Sequence, residues 1–379
     1  MKLAGQRHLF DIPDDVAYLN CAYMSPLLRR VRDAGLAGLR RKASPWEIVP
    51  RDFFSGSDAL RAAFAELINA RADDIALIPA ASYGVSTAAR NLPLARGQNV
   101  IVVEDQFPSN VYPWRERAAE TGARVHTVPR PGNGDWTRAV LNAIDEATAV
   151  VAIPHCHWTD GGLFNIERIG EVCRGQGSAL VLDVTQSLGA LPLDVARVQP
   201  DFLACAAYKW LLGPYSTGLL YVSERWQQEG RPIEHNWIHR KNAEDFARLV
   251  DYQDEFEPGA RRFDVGERSN FALVPAAEAG IRQLLEWGVD NVCETIAAKA
   301  DRIAERLRPL GLAALPKALR APHYLGLQME SGLPPELLPQ LAARQVYVSV
   351  RGSSIRITPH LYNTEADIDR LVGALQEIL

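Results

Sequence analysis

Short apolar runs alternate with segments of helical periodicity along most of the chain. Runs bounded by turn residues predict strands buried on both faces, whereas apolar residues spaced three and four apart predict amphipathic helices. This alternation is typical of an α/β protein with a mostly parallel, doubly wound sheet. The predicted strands cover residues 75–78, 99–104, 124–128, 149–153, 179–182 and 202–207, and the predicted helices cover 31–42, 57–69, 85–91, 108–121 and 137–145.

The last third of the chain has a different order of elements. A chain of 379 residues is long for a single core, so we expect two packed domains, of which this mixed α+β part is the smaller. Its predicted elements are, in order, helices at 274–287 and 289–307, a strand at 324–329, a helix at 334–343, strands at 346–350 and 355–357, and a terminal helix that begins near Thr364.

Composition narrows the class of protein. Hydrophobic residues make up 47% and charged residues 23%, an ordinary globular balance, and the net charge of −5 includes no lysine-arginine block for binding nucleic acid. We expect neither a signal peptide nor a membrane span. Five cysteines lack the spacing of a metal site or a disulfide framework, which predicts a reducing, cytoplasmic setting: Cys21, Cys156, Cys173, Cys205 and Cys293.

Two charged residues end neighbouring predicted strands. Asp183 closes the run 179–182, and Lys209 follows the run 202–207. Ligands of such sheets bind at the carboxyl ends of the strands. A lysine that forms a Schiff base and an acid that pairs with a pyridinium nitrogen would suit pyridoxal phosphate (PLP). Taken alone, Asp183 could instead cap a helix and Lys209 could be solvated, although the apolar sequence after Lys209 favours desolvation.

Three further places suggest binding. Ser82 precedes a predicted helix, whose first amides could bind a phosphate, or Ser82 could be an N-cap without a ligand. His155 and His157, near Cys156 and Asp160, could share a metal, although no second cluster completes four ligands, or could have no role.

The third place is Arg356, which interrupts an apolar strand. A charge is costly there unless it meets an anion, and a carboxylate is the natural partner. An internal salt bridge is the alternative, and Arg351 is the lesser candidate for the same ligand.

A set of motifs resembles the class V aminotransferase family of fold-type-I PLP enzymes, which includes cysteine desulfurases, selenocysteine lyases, isopenicillin-N epimerases and kynureninases. The residues in common include Asp183, Gln186, Ser187, Gly189, Asp194, Asp201, Tyr208, Lys209, Trp210, Gly213, Pro214 and Gly218. The resemblance implies an α-amino acid substrate and a homodimer with active sites at its interface. It also implies a large PLP-binding domain over 16–260 and a small domain over 1–15 and 261–379.

The same resemblance implies a role for each matching residue. Lys209 would hold PLP as a Schiff base and act as general base, Asp183 would pair with the ring nitrogen, and Gln186 would contact the phenolate oxygen. His155 would stack on the ring and Arg356 would bind the substrate carboxylate. The phosphate contacts would come from Ala81, Ser82, Tyr208 and, across the dimer interface, Ser269. His157 is a candidate for the substrate side. Independently of the resemblance, Trp237 could contact an aromatic substrate or be a buried structural tryptophan.

Departures from the family pattern bear on the reaction. Ala206 stands where a serine often contacts the phosphate, and Asn110 stands where kynureninases have an acid. Only Gly352, Ser353 and Ser354 separate Arg351 from the strand that carries Arg356, so no catalytic cysteine occupies the loop that persulfide-forming desulfurases use.

We therefore expect a lyase that cleaves a C–S or related bond by β-elimination without a cysteine nucleophile. Transamination, epimerisation and kynureninase-like hydrolysis are alternatives, and a catalytically inactive ligand-binding dimer is a remote one. The irregular segment 224–263, which contains Trp237, is expected to cover the active site.

Overall fold

The computed structural model describes residues 2–379 as an α/β protein built on one large sheet and two small ones. Its strands are β1 (Ala17–Tyr18), β2 (Ile75–Ile78), β3 (Asn99–Val103), β4 (Arg124–Val128), β5 (Thr148–Pro154), β6 (Ala179–Asp183), β7 (Phe202–Ala206), β8 (Gly218–Val222), β9 (Ala313–Ala314), β10 (Leu325–Gln328), β11 (Val346–Tyr347), β12 (Ser349–Arg351) and β13 (Ser354–Ile357). Its α-helices are α1 (Arg29–Lys42), α2 (Asp52–Ile68), α3 (Ala81–Asn91), α4 (Tyr112–Thr121), α5 (Trp136–Ala143), α6 (Ile166–Gln176), α7 (Val195–Val198), α8 (Glu224–Glu229), α9 (Leu273–Trp287), α10 (Val289–Leu307), α11 (Leu337–Ala343) and α12 (Glu365–Ile378).

The large sheet has seven strands in the order β2-β8-β7-β6-β5-β3-β4. Its strands are parallel from β7 to β4, and β8 runs antiparallel to both of its neighbours. Every residue of β2, β3 and β7 is buried, because helices cover both faces of the sheet. The predicted doubly wound α/β fold is therefore confirmed.

Two apolar clusters pack on this sheet, one on each face, as the alternation of strand side chains requires. One contains Ile153, Leu182 and Leu203 and extends to Ile281 of α9. The other contains Ala152 and Val181, each next in sequence to a member of the first.

The smaller sheets form the second packed unit. Strands β12-β13-β10-β9 make an antiparallel sheet, and β1 pairs in parallel with β11. Ala17 and Leu19 pack in the same apolar cluster as Ile355 and Ile357, whereas Ile281 packs with the large sheet. Pairing of this kind between distant segments cannot be deduced from local periodicity. The exact domain boundaries stay a prediction.

Helix boundaries follow capping and packing. Helix α2 begins at Asp52 rather than near Ser57, since Phe54 is buried against Ile238 and Ala243 and extends the helix by more than a turn. The terminal helix begins where predicted: Thr364 and Asp367 form a capping box, in which each side chain accepts a hydrogen bond from the backbone N–H of the other. No helix within residues 2–379 has the length and apolar character needed to cross a membrane.

Candidate active site

A cavity of about 370 Å³ lies where β5, β6 and β7 end, and it brings most of the predicted site residues together. Its size falls in the ~300–1,000 Å³ range that small-molecule sites occupy. The residues that line it are Pro79, Ala80, Ala81, Ser82, Gln106, Phe107, Ser109, Asn110, Pro154, Cys156, Trp158, Asp183, Thr185, Gln186, Ala206, Tyr208, Lys209, Tyr215, Ser216 and Thr217.

Lys209 is the most chemically distinctive residue of this cavity. Burial lowers the pKa of its amine from 10.5 to about 8; the positive charge of Arg356 also lowers it, and the carboxylate of Asp183 opposes the change. The Nζ atom lies 5.6 Å from the ring centroid of Phe107 and 5.4 Å from that of Tyr208. The neutral, nucleophilic form is therefore a minority of the amine near physiological pH, but a far larger share than for a lysine of ordinary pKa.

Asp183 occupies the last position of β6, where the strand delivers its carboxylate to the cavity wall. Its Oδ1 accepts a hydrogen bond from the backbone N–H of Thr185 at 3.0 Å, which orients the side chain at the turn after the strand. Only 8% of the residue is exposed, so a cationic ring nitrogen placed beside it would interact through little water.

Two contacts hold the side-chain amide of Gln186. Its Nε2 donates to the carbonyl of Ala22 at 3.1 Å, and its Oε1 accepts from Nε1 of Trp210 at 3.3 Å. The Nε2 of His323 lies 2.7 Å from the backbone oxygen of Gln186 and fixes the main chain there. These contacts use one of the two N–H groups of the amide, and the contact of Gln186 to a phenolate oxygen stays a prediction.

Another part of the cavity lining suits a phosphate. Ala81 and Ser82 occupy the first turn of α3, whose leading N–H groups have no acceptors within the helix. Gly84 lets this turn lie close to the sheet, since an added Cβ would be 3.0 Å from that of Ala204. The hydroxyl-bearing residues Tyr208 and Thr217 line the same cavity, so Thr217 is a candidate contact that sequence reasoning missed.

His155 does not occupy the predicted place. Side chains alternate along the extended segment at the end of β5. Pro154, Cys156 and Trp158 therefore line the cavity, whereas His155 does not. Its ring is buried, burial lowers its pKa to about 4, and its Nδ1 has no hydrogen-bond partner within residues 2–379. Phe107, which follows β3, is among the aromatic residues that line the cavity and lies 5.6 Å by its ring centroid from Nζ of Lys209.

The structure also places three other predicted residues away from this cavity. His157 is fully buried, stacks on Trp136 with ring centroids 5.0 Å apart, and contacts the carbonyl of Glu104 at 3.0 Å. Trp237 packs edge-on against Phe53. The hydroxyl of Ser269 donates to the carbonyl of the same Phe53, so any phosphate contact from Ser269 would have to be made in a second copy's cavity.

Two further expectations from sequence are that the segment 224–263 covers the active site and, as an alternative, that His155 and His157 share a metal. Within one chain the segment does not line the cavity that contains Lys209. It forms α8 and then a series of turns and 3₁₀ helices. Across residues 2–379 there is no group of three or more His, Cys, Asp or Glu side chains placed to hold a metal ion.

Arg356 reaches this region from the small sheet. It is 1% exposed; its Nε donates to Oγ of Ser349 at 2.9 Å and its Nη1 donates to the carbonyl of Trp158 at 3.0 Å. No carboxylate within residues 2–379 forms an ion pair with it, so the alternative of an internal salt bridge does not occur. The indole of Trp158 lines the cavity and lies 5.9 Å from the guanidinium carbon.

A tight hairpin joins β12 to β13 through Gly352 and Ser353. Arg351 pairs with Ser354 across the turn, and Gly352 has φ of +56°, which glycine adopts readily. Such a turn has no room for a loop that extends a cysteine towards the cavity. The cavity's own cysteine, Cys156, is buried, and burial raises the pKa of its thiol well above the usual value, so it is neutral.

Comparison with known proteins gives the family. Residues 51–371 match the family model described as aminotransferase class V. A Bacillus subtilis protein named uncharacterized aminotransferase YcbU is 27% identical over 93% of this chain and 91% of its own. An isopenicillin N epimerase of Amycolatopsis lactamdurans is 24% identical over 99% and 98% of the two chains, and a probable cysteine desulfurase of Methanothermobacter thermautotrophicus is 26% identical over 83% and 81%.

Solved structures agree on the fold. A lysine-to-alanine mutant of C-DES, with glycine covalently linked to its PLP cofactor, superposes with a TM-score of 0.88 at 20% identity over 99% of this chain and 100% of the other. An apo cysteine desulfurase from Thermococcus onnurineus gives 0.83 at 18% identity over 99% of both chains. The chain belongs to the class-V aminotransferase family, so the resemblance inferred from sequence is confirmed. It is accordingly a PLP-dependent enzyme with the type I fold.

The cavity residues fit this cofactor. Each group of PLP has a matching residue type around this one space. The desolvated lysine suits the aldehyde, the buried carboxylate suits the ring nitrogen, and the side-chain amide suits the phenolate. An aromatic ring suits the ring face, and the first turn of a helix suits the phosphate. Which of these residues touches each group stays a prediction.

The placement of Phe107 and His155 predicts that alanine substitution changes PLP affinity at one position and stability at the other. Phe107→Ala should weaken PLP binding to the apoenzyme by at least about fivefold, since an aromatic contact contributes about 1 kcal/mol beyond its buried area. His155→Ala should lower stability but leave PLP affinity within about twofold, because its ring is not on the cavity wall. Fluorescence titration of both apo variants with PLP, together with urea unfolding, measures these effects. Loss of PLP affinity in the His155 variant alone would contradict the placement.

The lowered pKa of Lys209 predicts a pH-dependent stability. Between pH 8 and 10.5 the unfolded apoenzyme binds more protons at Lys209 than the folded apoenzyme does. The unfavourable contribution of the buried, protonated lysine to folding is therefore complete below pH 8 and disappears as the pH rises through that window. The stability gained by apo Lys209→Met should therefore fall by about 3 kcal/mol between pH 7 and pH above 10.5. Urea unfolding across this range measures it, and exposed Lys42→Met should show no such trend.

Proposed function

We propose that this PLP enzyme is a lyase that acts on an α-amino acid through Lys209 and cleaves a C–S or related bond at the β-carbon without a cysteine nucleophile. The observation that carries the proposal is the desolvated amine of Lys209 in a cavity that also contains Asp183. The relatives named as probable cysteine desulfurases support chemistry at a cysteine-like side chain. The solved complex of the cystine C–S lyase C-DES with cysteine persulfide supports the fold alone, at 20% identity.

Arg356 would bind the substrate's carboxylate. Its guanidinium is buried and lacks an acidic partner within residues 2–379, and the contacts from Ser349 and Trp158 already fix its orientation. A bidentate carboxylate would satisfy its remaining donors. This contact would anchor the amino acid at the small-sheet side of the cavity, with its amino group directed towards Lys209.

Lys209 would move the proton. When bound, PLP supplies an electron sink next to the substrate's α-carbon. The neutral Nζ of Lys209, whose pKa is about 8, can take the α-proton as general base and later return it as general acid. In β-elimination the leaving group departs with its bonding electron pair, and hydrolysis of the released enamine gives a keto acid and ammonia.

The hairpin at Gly352 and Ser353 favours elimination over sulfur transfer to the enzyme. It carries no cysteine, and the neutral, buried Cys156 is a poor nucleophile. Transamination and epimerisation need the same proton movements and remain alternatives that the relatives' names support. Kynureninase-like hydrolysis is less supported, because Asn110 offers an amide where those enzymes have an acid.

We also propose a homodimer that functions in the cytoplasm. Large apolar side chains are exposed on and just after α1, among them Leu39 at 61% and Trp46 at 79%, and Tyr215 at the cavity is 61% exposed. A second copy covering these residues would bury them and could direct Ser269 to the neighbouring phosphate. All five cysteines are unpaired, which is consistent with a reducing compartment.

Lys209→Ala should abolish covalent attachment of PLP. The purified parent protein should absorb visible light, and borohydride reduction should leave a PLP adduct on Lys209 that peptide mass spectrometry detects. The variant should lack this adduct, whereas exposed Lys241→Ala should retain it. An adduct on another lysine in the parent protein would contradict the assignment.

A panel of amino acids should identify the reaction. The proposal predicts pyruvate in equal amount to the released thiol or other leaving group when β-substituted alanines such as cystine are supplied. Transamination would instead give a keto acid with pyridoxamine phosphate, epimerisation would give the opposite enantiomer, and kynureninase-like hydrolysis would give anthranilate. Product assays on the holoenzyme separate these results, and a keto acid accumulating with pyridoxamine phosphate would reject the lyase. No product from any member would favour the inactive ligand-binding dimer.

Arg356→Met should weaken substrate binding. Loss of a charge-assisted contact costs about 1.5–3 kcal/mol, so KM should rise by about 10- to 100-fold. The borohydride-trapped adduct on Lys209 should persist, because Arg356 is not needed to hold PLP. Steady-state kinetics and adduct mass spectrometry measure the two effects, and an unchanged KM would contradict the role of Arg356.

A further inference from the structure

Arg351 and Arg356 project from the same face of the small sheet. Ser349 of β12 lies opposite Arg356 of β13, and Arg351 lies opposite Ser354. Side chains of directly opposed residues share a face, as do those two apart along a strand, so all four side chains are on one side. The two arginines are thus diagonal neighbours across the hairpin.

Neither arginine has an acidic partner within residues 2–379. The guanidinium of Arg351 donates from Nη1 to the carbonyl of Val350 at 2.7 Å, and that of Arg356 donates to Ser349 and Trp158. Partial burial and the neighbouring charge of Arg356 lower the pKa of Arg351. Two adjacent positive charges without a counter-charge are unfavourable unless anions bind there.

The indole of Trp158 connects both arginines to the cavity. Its ring centroid lies 5.8 Å from the guanidinium carbon of Arg351 and 5.9 Å from that of Arg356. The same ring packs edge-on against Phe107 at 5.3 Å, and both aromatic residues line the cavity. The charges of both arginines also act on Lys209. An anion bound by this pair would therefore lie next to the cavity that contains Lys209.

We propose that Arg351 and Arg356 together select amino acids that carry a second anionic group on the side chain. The inference rests on the proposed function in one respect: Arg356 takes the α-carboxylate. Arg351 then binds the distal anion. The two guanidiniums are held by different acceptors, Val350 for one and Ser349 with Trp158 for the other, so they define two anion positions.

The different exposure of the two arginines indicates which anion each one binds. Arg356 is 1% exposed, whereas Arg351 is half-buried at the end of β12 next to the hairpin turn. The buried position suits the invariant part of an amino acid, and the more open position suits a side chain of variable length. The substrate class is therefore an acidic or dicarboxylic amino acid, including β-substituted alanines whose leaving group bears a carboxylate.

Binding of an unreactive ligand pair to the holoenzyme tests this inference. Glutarate has two carboxylates, and glutaramate is the same molecule with one carboxylate replaced by an amide. Calorimetry should show glutarate binding about tenfold more tightly, as expected for one additional charge-assisted contact. Arg351→Met should weaken glutarate to the level of glutaramate and leave glutaramate within about twofold. Exposed Arg370→Met is the control and should change neither.

Other results would overturn the inference. Equal weakening of both ligands by Arg351→Met would mean that the two arginines share one carboxylate. An absence of preference for glutarate in the parent enzyme would mean that something else, such as an acidic residue of a second copy, neutralises Arg351. The binding measurement does not depend on turnover, so its failure can be told apart from failure of the proposed function. A glutarate preference without pyruvate formation would support the substrate class and reject the lyase. Pyruvate formation without a glutarate preference would support the lyase and reject the substrate class.

Discussion

The carbonyl of Trp158 is the contact on which the geometry of the site depends. It accepts hydrogen bonds from the hydroxyl of Tyr324 and from Nη1 of Arg356, so a loop of the large sheet is bound at one atom by two residues of the small-sheet region. Gly326 makes the approach possible, since an added Cβ would lie 2.3 Å from Cα of Asp160. This contact fixes the position of Arg356 relative to Lys209, which belongs to the other part of the molecule.

Burial keeps most titratable groups near the cavity neutral. Burial lowers the pKa of His155 to about 4 and those of His323 and His360 to about 3, and it raises the pKa of Cys156. Asp183 raises the pKa of Lys209 and Arg356 lowers it. An amine with a pKa near 8 can take up and release a proton near neutral pH at little cost.

Local sequence was sufficient to predict the groups that strands deliver to the carboxyl edge of the sheet. Asp183, Gln186, Lys209 and the helix start at Ser82 lie in one cavity, because a short apolar run fixes where each strand ends. His155 was misplaced because a shift of one residue along an extended segment reverses the side-chain direction, and Phe107, which comes soon after β3, was missed although it lies at the same edge. Trp237 and Ser269 could not be placed from sequence, because their positions depend on contacts with distant residues such as Phe53.

In the proposed lyase, the turn at Gly352 and Ser353 bears on how a product would leave the enzyme. A two-residue connection cannot act as a swinging arm, so a fragment detached from the β-carbon would leave by diffusion through the mouth of the cleft. An enzyme built this way would discharge a free small molecule into its surroundings, and it would require no docked carrier protein to complete its cycle.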